Sequence, residues 1–223
     1  MNDILLIIPA FNEAENIERV VDEITAEHPQ LDYVIINDGS EDDIDEICRR
    51  KGYHVVDHPQ NMGLAAAFHT GMVYAKEHGY PYAIQFDGDG QHRPEFILPM
   101  REKMEEGFNI VIASRFIRGR KPFTLRMLGS DLIELAILLT TGKVIKDPTS
   151  GMRMYDRDLI EKFAGDFILP PEPSTLARLI REGAKVAEIP AVMAERIGGV
   201  SYLNPGRAVR YMWKVLGDIL WKR

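Results

Sequence analysis

The sequence has little cysteine, no excess of positive charge and no long apolar run. Cys48 is the one cysteine among 223 residues, which excludes an internal disulfide and a cysteine-based metal cluster. Nothing in the sequence therefore indicates an oxidising compartment. Acidic side chains number 34 against 27 basic ones, a net charge of −7. This balance argues against a nucleic-acid partner.

The patterns of a secretory leader and of a membrane-spanning helix are also missing. An acid, Asp3, precedes a short apolar run that Pro9 closes, whereas a signal peptide begins with positive charge and has a longer apolar run. The most apolar later stretch, residues 132–139, contains Glu134 and is much shorter than the roughly 20 residues that span a bilayer. We therefore expect a cytoplasmic protein, at most peripheral on the inner face of the cell membrane.

Short apolar runs alternate with helical patterns over the first half of the chain. The runs at residues 4–8, 34–36, 55–56, 82–86 and 110–113 predict five strands, and apolar residues at helical spacing separate them. This alternation predicts an α/β fold with a Rossmann-like, mostly parallel central sheet flanked by helices. Beyond residue 114 the alternation breaks. There we predict helices over residues 131–141, 158–163 and 175–182, and a late strand over residues 186–189.

Polar residues follow three of these predicted strands. Asn12 and Glu13 follow the first, residues 37–40 (Asn-Asp-Gly-Ser) the second, and residues 87–89 (Asp-Gly-Asp) the fourth. In open α/β sheets, ligands bind at the carboxyl ends of the strands. The three segments are therefore expected to meet at one edge of the sheet and to form a site there.

Asp87 and Asp89 are candidate ligands of one hard cation, since Gly88 allows the backbone to turn between them. Two carboxylates suit Mg²⁺ or Mn²⁺, because these cations fill their remaining coordination positions with water and phosphate oxygens. Gln91 is a third candidate ligand, and His92 is expected to orient Asp89. The alternative is a polar Asp-Gly turn without a ligand.

Five motifs in order resemble family 2 glycosyltransferases, and in particular the branch of dolichyl-phosphate mannosyltransferases and bacterial polyprenyl-phosphate glycosyltransferases. The resemblance extends over residues 4–201. The motifs are residues 8–13 (Ile-Pro-Ala-Phe-Asn-Glu), 37–40, 61–64 (Asn-Met-Gly-Leu), 86–92 and 147–153 (Asp-Pro-Thr-Ser-Gly-Met-Arg).

The resemblance implies a GT-A fold, a UDP- or GDP-sugar donor and Mg²⁺ or Mn²⁺ as cofactor. It implies that Pro9, Phe11 and Glu13 line the nucleotide and that Asp38 contacts the base. The remaining donor and metal contacts would come from Asp87, Gly88, Asp89, Gln91 and Arg196. For residues 37–40 the alternative is a turn with a helix N-cap.

An arginine-rich segment is a candidate acceptor site in this acidic protein, with Arg115 and Arg126 at its ends. Arginine suits bidentate phosphate binding. The resemblance implies that Arg115, Arg126 and Ser130 hold the phosphate of a lipid acceptor. The alternative is a solvated surface loop, which we favour for Arg118, Arg120 and Lys121.

The acceptor decides whether a catalytic base is needed. A phosphomonoester oxygen is already an anion near neutral pH and needs none, whereas a sugar hydroxyl requires a carboxylate base. Asp147 is the first candidate base and Glu172 the second, and a turn or cap is the alternative role of Asp147.

The chain is predicted to be one GT-A domain over residues 1–223. Its parts are a nucleotide-sugar-binding half (1–114), an acceptor-binding half (115–206) and a C-terminal amphipathic helix (207–223). The expected activity is that of an inverting hexosyltransferase acting on polyprenyl phosphate, or alternatively on a saccharide hydroxyl. A non-catalytic receiver-like signalling domain is the alternative of another class. A membrane-protein partner and a homo-oligomer are further expectations.

Overall fold

A computed structural model describes residues 2–119, 121, 124–194 and 205–221. For residues 125, 126 and 205–209 it describes the backbone alone. In the part of the chain that the structure describes, seven strands form one sheet in the order β3-β2-β1-β4-β6-β5-β7. Their bounds are β1 Ile4–Ala10, β2 Asp32–Asn37, β3 Val55–Asp57, β4 Tyr82–Gln85, β5 Ile110–Ser114, β6 Arg153–Asp156 and β7 Val186–Pro190.

Helices cover both faces of the sheet. Their bounds are α1 Ala14–Glu27, α2 Ile44–Lys51, α3 Leu64–Glu77, α4 Ile97–Glu105, α5 Leu125–Thr141, α6 Arg157–Phe163, α7 Pro173–Arg181 and α8 Pro205–Trp221. Alternate residues of β1 enter two apolar cores, because successive side chains of a strand point to opposite faces. Leu5 and Ile7 pack with α3 and α5–α8, while Leu6 and Ile8 pack with α1, α2 and α4. The predicted α/β architecture is confirmed.

One central strand was not predicted from the sequence. β6 pairs antiparallel with both β4 and β5, while the other neighbouring strands pair in parallel. It has only four residues and lies at the end of the 147–153 motif, so its apolar pattern is too short to stand out. The break in alternation after residue 114 is therefore the entry of an antiparallel strand into the same sheet.

Helix α5 begins earlier than its apolar spacing predicted, at Leu125 instead of residue 131. The hydroxyl of Thr124 caps it by accepting a hydrogen bond from the backbone N–H of Met127 at 3.2 Å. Helix α8 crosses α5 at Gly129, where a Cβ atom would lie 2.6 Å from the Met212 sulfur. Within the described residues, no helix has the length and apolarity that crossing a membrane requires.

Candidate active site

The loops after β1 and β2 are bonded to each other. The Asn12 amide donates to the Ser40 hydroxyl at 3.0 Å, and the Glu41 amide donates to Asn12 Oδ1 at 2.8 Å. Asn12 adopts a left-handed conformation with φ 55°. Gly39 also has positive φ, and a Cβ there would lie 2.3 Å from the backbone of Gln60. Glycine is thus required where these two loops meet the loop that follows β3.

Asp38 is buried at the centre of these three loops. Its Oδ1 accepts the Met62 amide at 2.9 Å and lies 2.7 Å from His58 Nδ1. Its Oδ2 accepts the Gly63 amide at 2.7 Å. The carboxylate thereby fixes the loop that precedes α3. The His58 contact could not be predicted from the sequence, because an isolated histidine has no recognisable ligand spacing.

The predicted nucleotide-lining residues lie on the same edge. Pro9 is in β1, half-buried Phe11 follows the strand, and Glu13 is the N-cap of α1. The Glu13 carbonyl accepts the amides of Asn16 and Ile17, and its carboxylate accepts the Asn16 side-chain amide at 2.8 Å. Within this segment the Ala10 carbonyl accepts the Asp38 backbone N–H at 2.8 Å, so the segment lies against the Asp38 loops.

Asp87 and Asp89 follow β4 at this edge with different exposures. The Asp87 side chain is 38% exposed, and its Oδ1 accepts the buried Gln85 amide at 3.2 Å. Asp89 is buried, and its two oxygens accept the backbone and side-chain N–H groups of Gln91 at 3.0 and 3.1 Å. Gln91 thus orients Asp89 through its amide nitrogen.

His92 contacts Asp87, which corrects the expectation that it orients Asp89. The Asp87 backbone N–H donates to His92 Nδ1 at 2.8 Å, so Nδ1 is the acceptor and Nε2 carries the proton. Nε2 faces Asp87 Oδ2 at 3.4 Å. The sequence spacing indicated that His92 lies near Asp87 and Asp89, which we call the acidic cluster. It did not indicate which of the two carboxylates the ring contacts.

The two carboxylates suit a divalent cation that keeps open positions. Among the described residues, no group of three or more His, Cys, Asp and Glu side chains converges on one point. A cation here would take two protein carboxylates and complete its shell with water and substrate oxygens, which is the usual binding mode of Mg²⁺. Asp87 and Asp89 are therefore the residues that could hold the implied metal, and Gln91 is bonded to Asp89 through its nitrogens.

Arg115 and Asp147 form a two-point ion pair next to this cluster. Arg115 Nε and Nη2 each lie 2.7 Å from an oxygen of Asp147, and the Arg115 backbone N–H donates at 3.0 Å. Burial raises the pKa of Asp147, but the hydrogen bonds and charge of Arg115 outweigh it and leave the pKa below its ordinary value. The fully buried carboxylate has its oxygens directed at Arg115, a geometry that favours positioning over proton transfer.

Two further side chains that the sequence analysis missed hold the 147–151 loop. Buried Arg153 donates to the carbonyls of Ser150 at 2.8 Å and Pro148 at 2.6 Å. Glu188 accepts the amides of Lys146 and Asp147 at 2.8 and 2.9 Å. A Cβ at Gly151 would lie 3.1 Å from Asp87 Oδ2, so this loop brings the Arg115–Asp147 pair close to the acidic cluster.

The remaining predicted acceptor residues are placed unevenly. Ser130 is buried in α5, and its hydroxyl has no hydrogen-bond partner within the described part of the chain. Lys121 was expected in a solvated surface loop, but its side chain is only 13% exposed because it is paired with Asp131 and Glu134. The side chain of Arg126 and the whole of Arg196 lie outside the described residues.

Residues 5–163, about seven-tenths of the chain, match the profile described as glycosyl transferase family 2. The chain belongs to glycosyl transferase family 2. It is therefore a glycosyltransferase, as predicted, and the alternative of a receiver-like signalling domain has no support. The matched region contains all five predicted motifs, at residues 8–13, 37–40, 61–64, 86–92 and 147–153.

Two curated relatives align over most of the chain. Polyprenol monophosphomannose synthase of Mycolicibacterium smegmatis is 28% identical over 95% of this chain and 84% of its own length. Undecaprenyl-phosphate mannosyltransferase of Micrococcus luteus is 26% identical over 91% of this chain and 88% of its own length. The resemblance to the polyprenyl-phosphate branch is thereby confirmed.

A solved structure shows the same fold. Glucosyl-3-phosphoglycerate synthase from Mycobacterium tuberculosis, crystallised with Mn²⁺, uridine diphosphate and phosphoglyceric acid, superposes with a TM-score of 0.72. The match covers 99% of this chain and 79% of that one at 19% identity. The predicted GT-A fold is confirmed.

Proposed function

We propose that this chain transfers a sugar from a nucleotide diphosphate sugar to the phosphate of a polyprenyl phosphate, with inversion at the anomeric carbon. The polyprenyl-phosphate names of both curated relatives support this acceptor. The solved neighbour that holds Mn²⁺ with uridine diphosphate supports a nucleotide donor and a divalent metal. We assign the metal to Asp87 and Asp89.

The burial of Asp147 and its bonding to Arg115 are the observation that favours a phosphate acceptor over a hydroxyl acceptor. Its carboxylate is completely buried, and both of its oxygens are bonded to Arg115. A hydroxyl acceptor requires a base with an open lone pair facing the substrate. A phosphate acceptor brings its own anion and requires a cation, which Arg115 supplies.

The reaction then needs little proton transfer from the protein. A phosphate oxygen of the acceptor attacks the anomeric carbon from the side opposite the nucleotide, and the bond to the diphosphate oxygen breaks. Arg115, fixed by Asp147 and Thr149, orients the attacking phosphate. We add Ser130 and Arg126 to this phosphate site. A divalent cation at Asp87 and Asp89 would neutralise charge on the leaving diphosphate.

An exposed apolar face beside the proposed acceptor site supports peripheral attachment to a membrane. Leu128, Leu132, Leu135 and Leu139 lie on one side of α5 at helical spacing, and we call them the leucine stripe. They are between 39% and 72% exposed. Helix α8 packs against α5 and adds exposed Trp213 and Trp221. Such faces insert into the headgroup region of a bilayer.

The acids of α5 do not oppose this attachment. Asp131 is paired with Lys121, and Glu134 with Lys121 and Lys146. Pairing reduces the repulsion between these carboxylates and anionic lipid headgroups. We therefore propose that α5 faces the membrane and that Ser130, on the opposite side of the helix, reaches the lipid phosphate.

A transfer assay with two competing acceptors tests the function. The protein is incubated with Mn²⁺, a radiolabelled nucleotide sugar, vesicles containing polyprenyl phosphate, and a soluble oligosaccharide. We expect label in the organic extract, and a loss of at least about a hundredfold in Asp89→Ala. Glu95→Ala, which removes an exposed acid paired with Arg93, serves as the control. Label confined to the oligosaccharide would exclude the lipid acceptor.

A further inference from the structure

The hydrogen bonds of Asp38 limit which nucleotide base this site accepts. An ionised carboxylate has about four lone-pair positions, two on each oxygen. Oδ1 is bonded to His58 Nδ1 and to the Met62 amide, so both of its positions are used. Oδ2 is bonded to the Gly63 amide, and among the described residues nothing else uses its second acceptor position. Asp38 can therefore accept one additional N–H donor.

We propose that His58, by occupying Oδ1, makes this site selective for a base with a single imide N–H, namely uracil or thymine, over guanine. The proposal rests on the proposed function, because it assumes that a nucleotide diphosphate sugar binds at Asp38. It goes beyond that function by naming the class of donor and the residue that selects it.

The hydrogen-bonding edges of the bases explain the selectivity. Guanine presents two adjacent N–H groups, which are matched by a carboxylate with a free position on each oxygen. Asp38 meets only one of them, and the other is left unpaired in a buried site, which is costly. Uracil and thymine present one N–H between two carbonyl oxygens. These carbonyls repel a second carboxylate oxygen, so a single open acceptor suits them.

Adenine and cytosine fit this position less well than uracil. Each places an unprotonated ring nitrogen beside its exocyclic amine. When the amine donates to Asp38 Oδ2, that ring nitrogen faces the carboxylate as a second acceptor. Two acceptors without a proton between them repel each other. The single open position therefore favours the imide bases over both of these bases as well.

His58 is fixed at its backbone and at its ring. The His58 backbone amide donates to the Asn37 carbonyl at 2.8 Å, and the ring nitrogen Nε2 lies 2.8 Å from the Thr70 hydroxyl on α3. Because an ionised Asp38 only accepts hydrogen bonds, Nδ1 must be the donor toward it. The side chains of His58 and Asp38 are 8% and 5% exposed, so water does not readily replace this contact. His58 is thus a positioning residue that acts through Asp38.

Calorimetric titration of the full chain with UDP, TDP, GDP, ADP and CDP in the presence of Mn²⁺ tests the proposal. We expect UDP and TDP to bind at least about tenfold more tightly than GDP, the cost of one unpaired donor. His58→Leu frees a position on Oδ1 and is expected to reduce the UDP-to-GDP preference. His58→Asn keeps an N–H near the place of Nδ1 and is expected to retain that preference.

His78→Leu is the matched control, because it removes an exposed histidine whose Nδ1 contacts the Tyr74 carbonyl at the end of α3. Thermal unfolding of each variant checks that it is folded, and the ratio of affinities is unaffected by a uniform loss of active protein. GDP binding as tight as UDP in the native chain would overturn the base selectivity alone. An unchanged ratio in His58→Leu would overturn the role of His58. If no nucleotide binds, the donor site of the proposed function fails too.

Discussion

At the scale of single residues, the candidate site consists of charged groups whose partners fix their direction. Asp87 is oriented by Gln85 and His92, Asp89 by Gln91, and Arg115 by Asp147. Side chains locked in this way are prepared for a substrate before it binds, which reduces the entropy lost on binding. Substituting the residues that orient Asp87, Asp89 and Arg115 is therefore as informative as substituting these three residues themselves.

Asp147→Asn separates positioning from base catalysis. The variant keeps the shape of the side chain but loses the charge that fixes Arg115, so we expect the acceptor KM to rise about tenfold. We expect the donor KM and the pH dependence of kcat to stay unchanged. Steady-state kinetics with each substrate varied in turn measure this. A collapse of kcat together with loss of the acidic limb of the pH profile would identify Asp147 as a base.

The same variant tests the electrostatic role of the pair. The folded-state pKa of Asp147 lies below its ordinary value of 3.8, so its ion pair stabilises the fold above that pH. Acidification through the folded-state pKa protonates the carboxylate and removes this contribution. The native chain is expected to be about 2 kcal/mol more stable than Asp147→Asn near neutral pH. Urea unfolding should show this difference narrowing below about pH 4; a difference independent of pH would contradict the ion pair.

At the scale of elements, the short antiparallel strand β6 is decisive for the second half of the site. It joins β4, which precedes the acidic cluster, to β5, which precedes Arg115. Its first residue, Arg153, turns back to hold the 147–151 loop. The loop and the strand together occupy only residues 147–156, which is too short for a periodic apolar pattern. This explains why the motif was found and the strand was missed.

Arg153→Met tests this clamp. The change keeps the apolar stem but leaves the buried carbonyls of Pro148 and Ser150 without their donor. We expect a loss of about 3 kcal/mol in unfolding free energy. Arg157→Met is the control, because exposed Arg157 donates to a single carbonyl, that of Gly79, and should cost less than about 1 kcal/mol. Equal losses in the two variants, measured by urea unfolding, would reject the clamp.

Helix α5 carries the proposed membrane contact. Leu135→Gln with Leu139→Gln removes two residues of the leucine stripe, which is exposed, so the thermal stability should change little. Sedimentation with vesicles of anionic lipid should show binding at least about tenfold weaker. A leucine contributes about 1.5 to 3 kcal/mol at full burial, and tenfold corresponds to partial burial of the two side chains. Phe167→Ser, an exposed aromatic outside α5, is the control. Unchanged sedimentation of the double variant would exclude this face as the membrane contact.

At the scale of the whole molecule, the sequence predicted the layer architecture and the edge of the sheet at which the three polar segments lie. Both follow from buried strands with polar residues behind them, a pattern that each segment carries locally. It could not predict that Asp38 is bound by His58, because that contact depends on how the β2 and β3 loops meet. Nor could it distinguish Asp147 as a base from Asp147 as a partner of Arg115, since burial and orientation arise only in the assembled fold.

The central claim is that Asp87 and Asp89 hold a divalent cation shared with the diphosphate of the donor. Titrating UDP and GDP into the chain with and without Mn²⁺ tests this coupling directly. We expect Mn²⁺ to tighten the better nucleotide at least about tenfold in the native chain and to have little effect in Asp89→Ala. Equal affinity with and without Mn²⁺ in the native chain would contradict the claim.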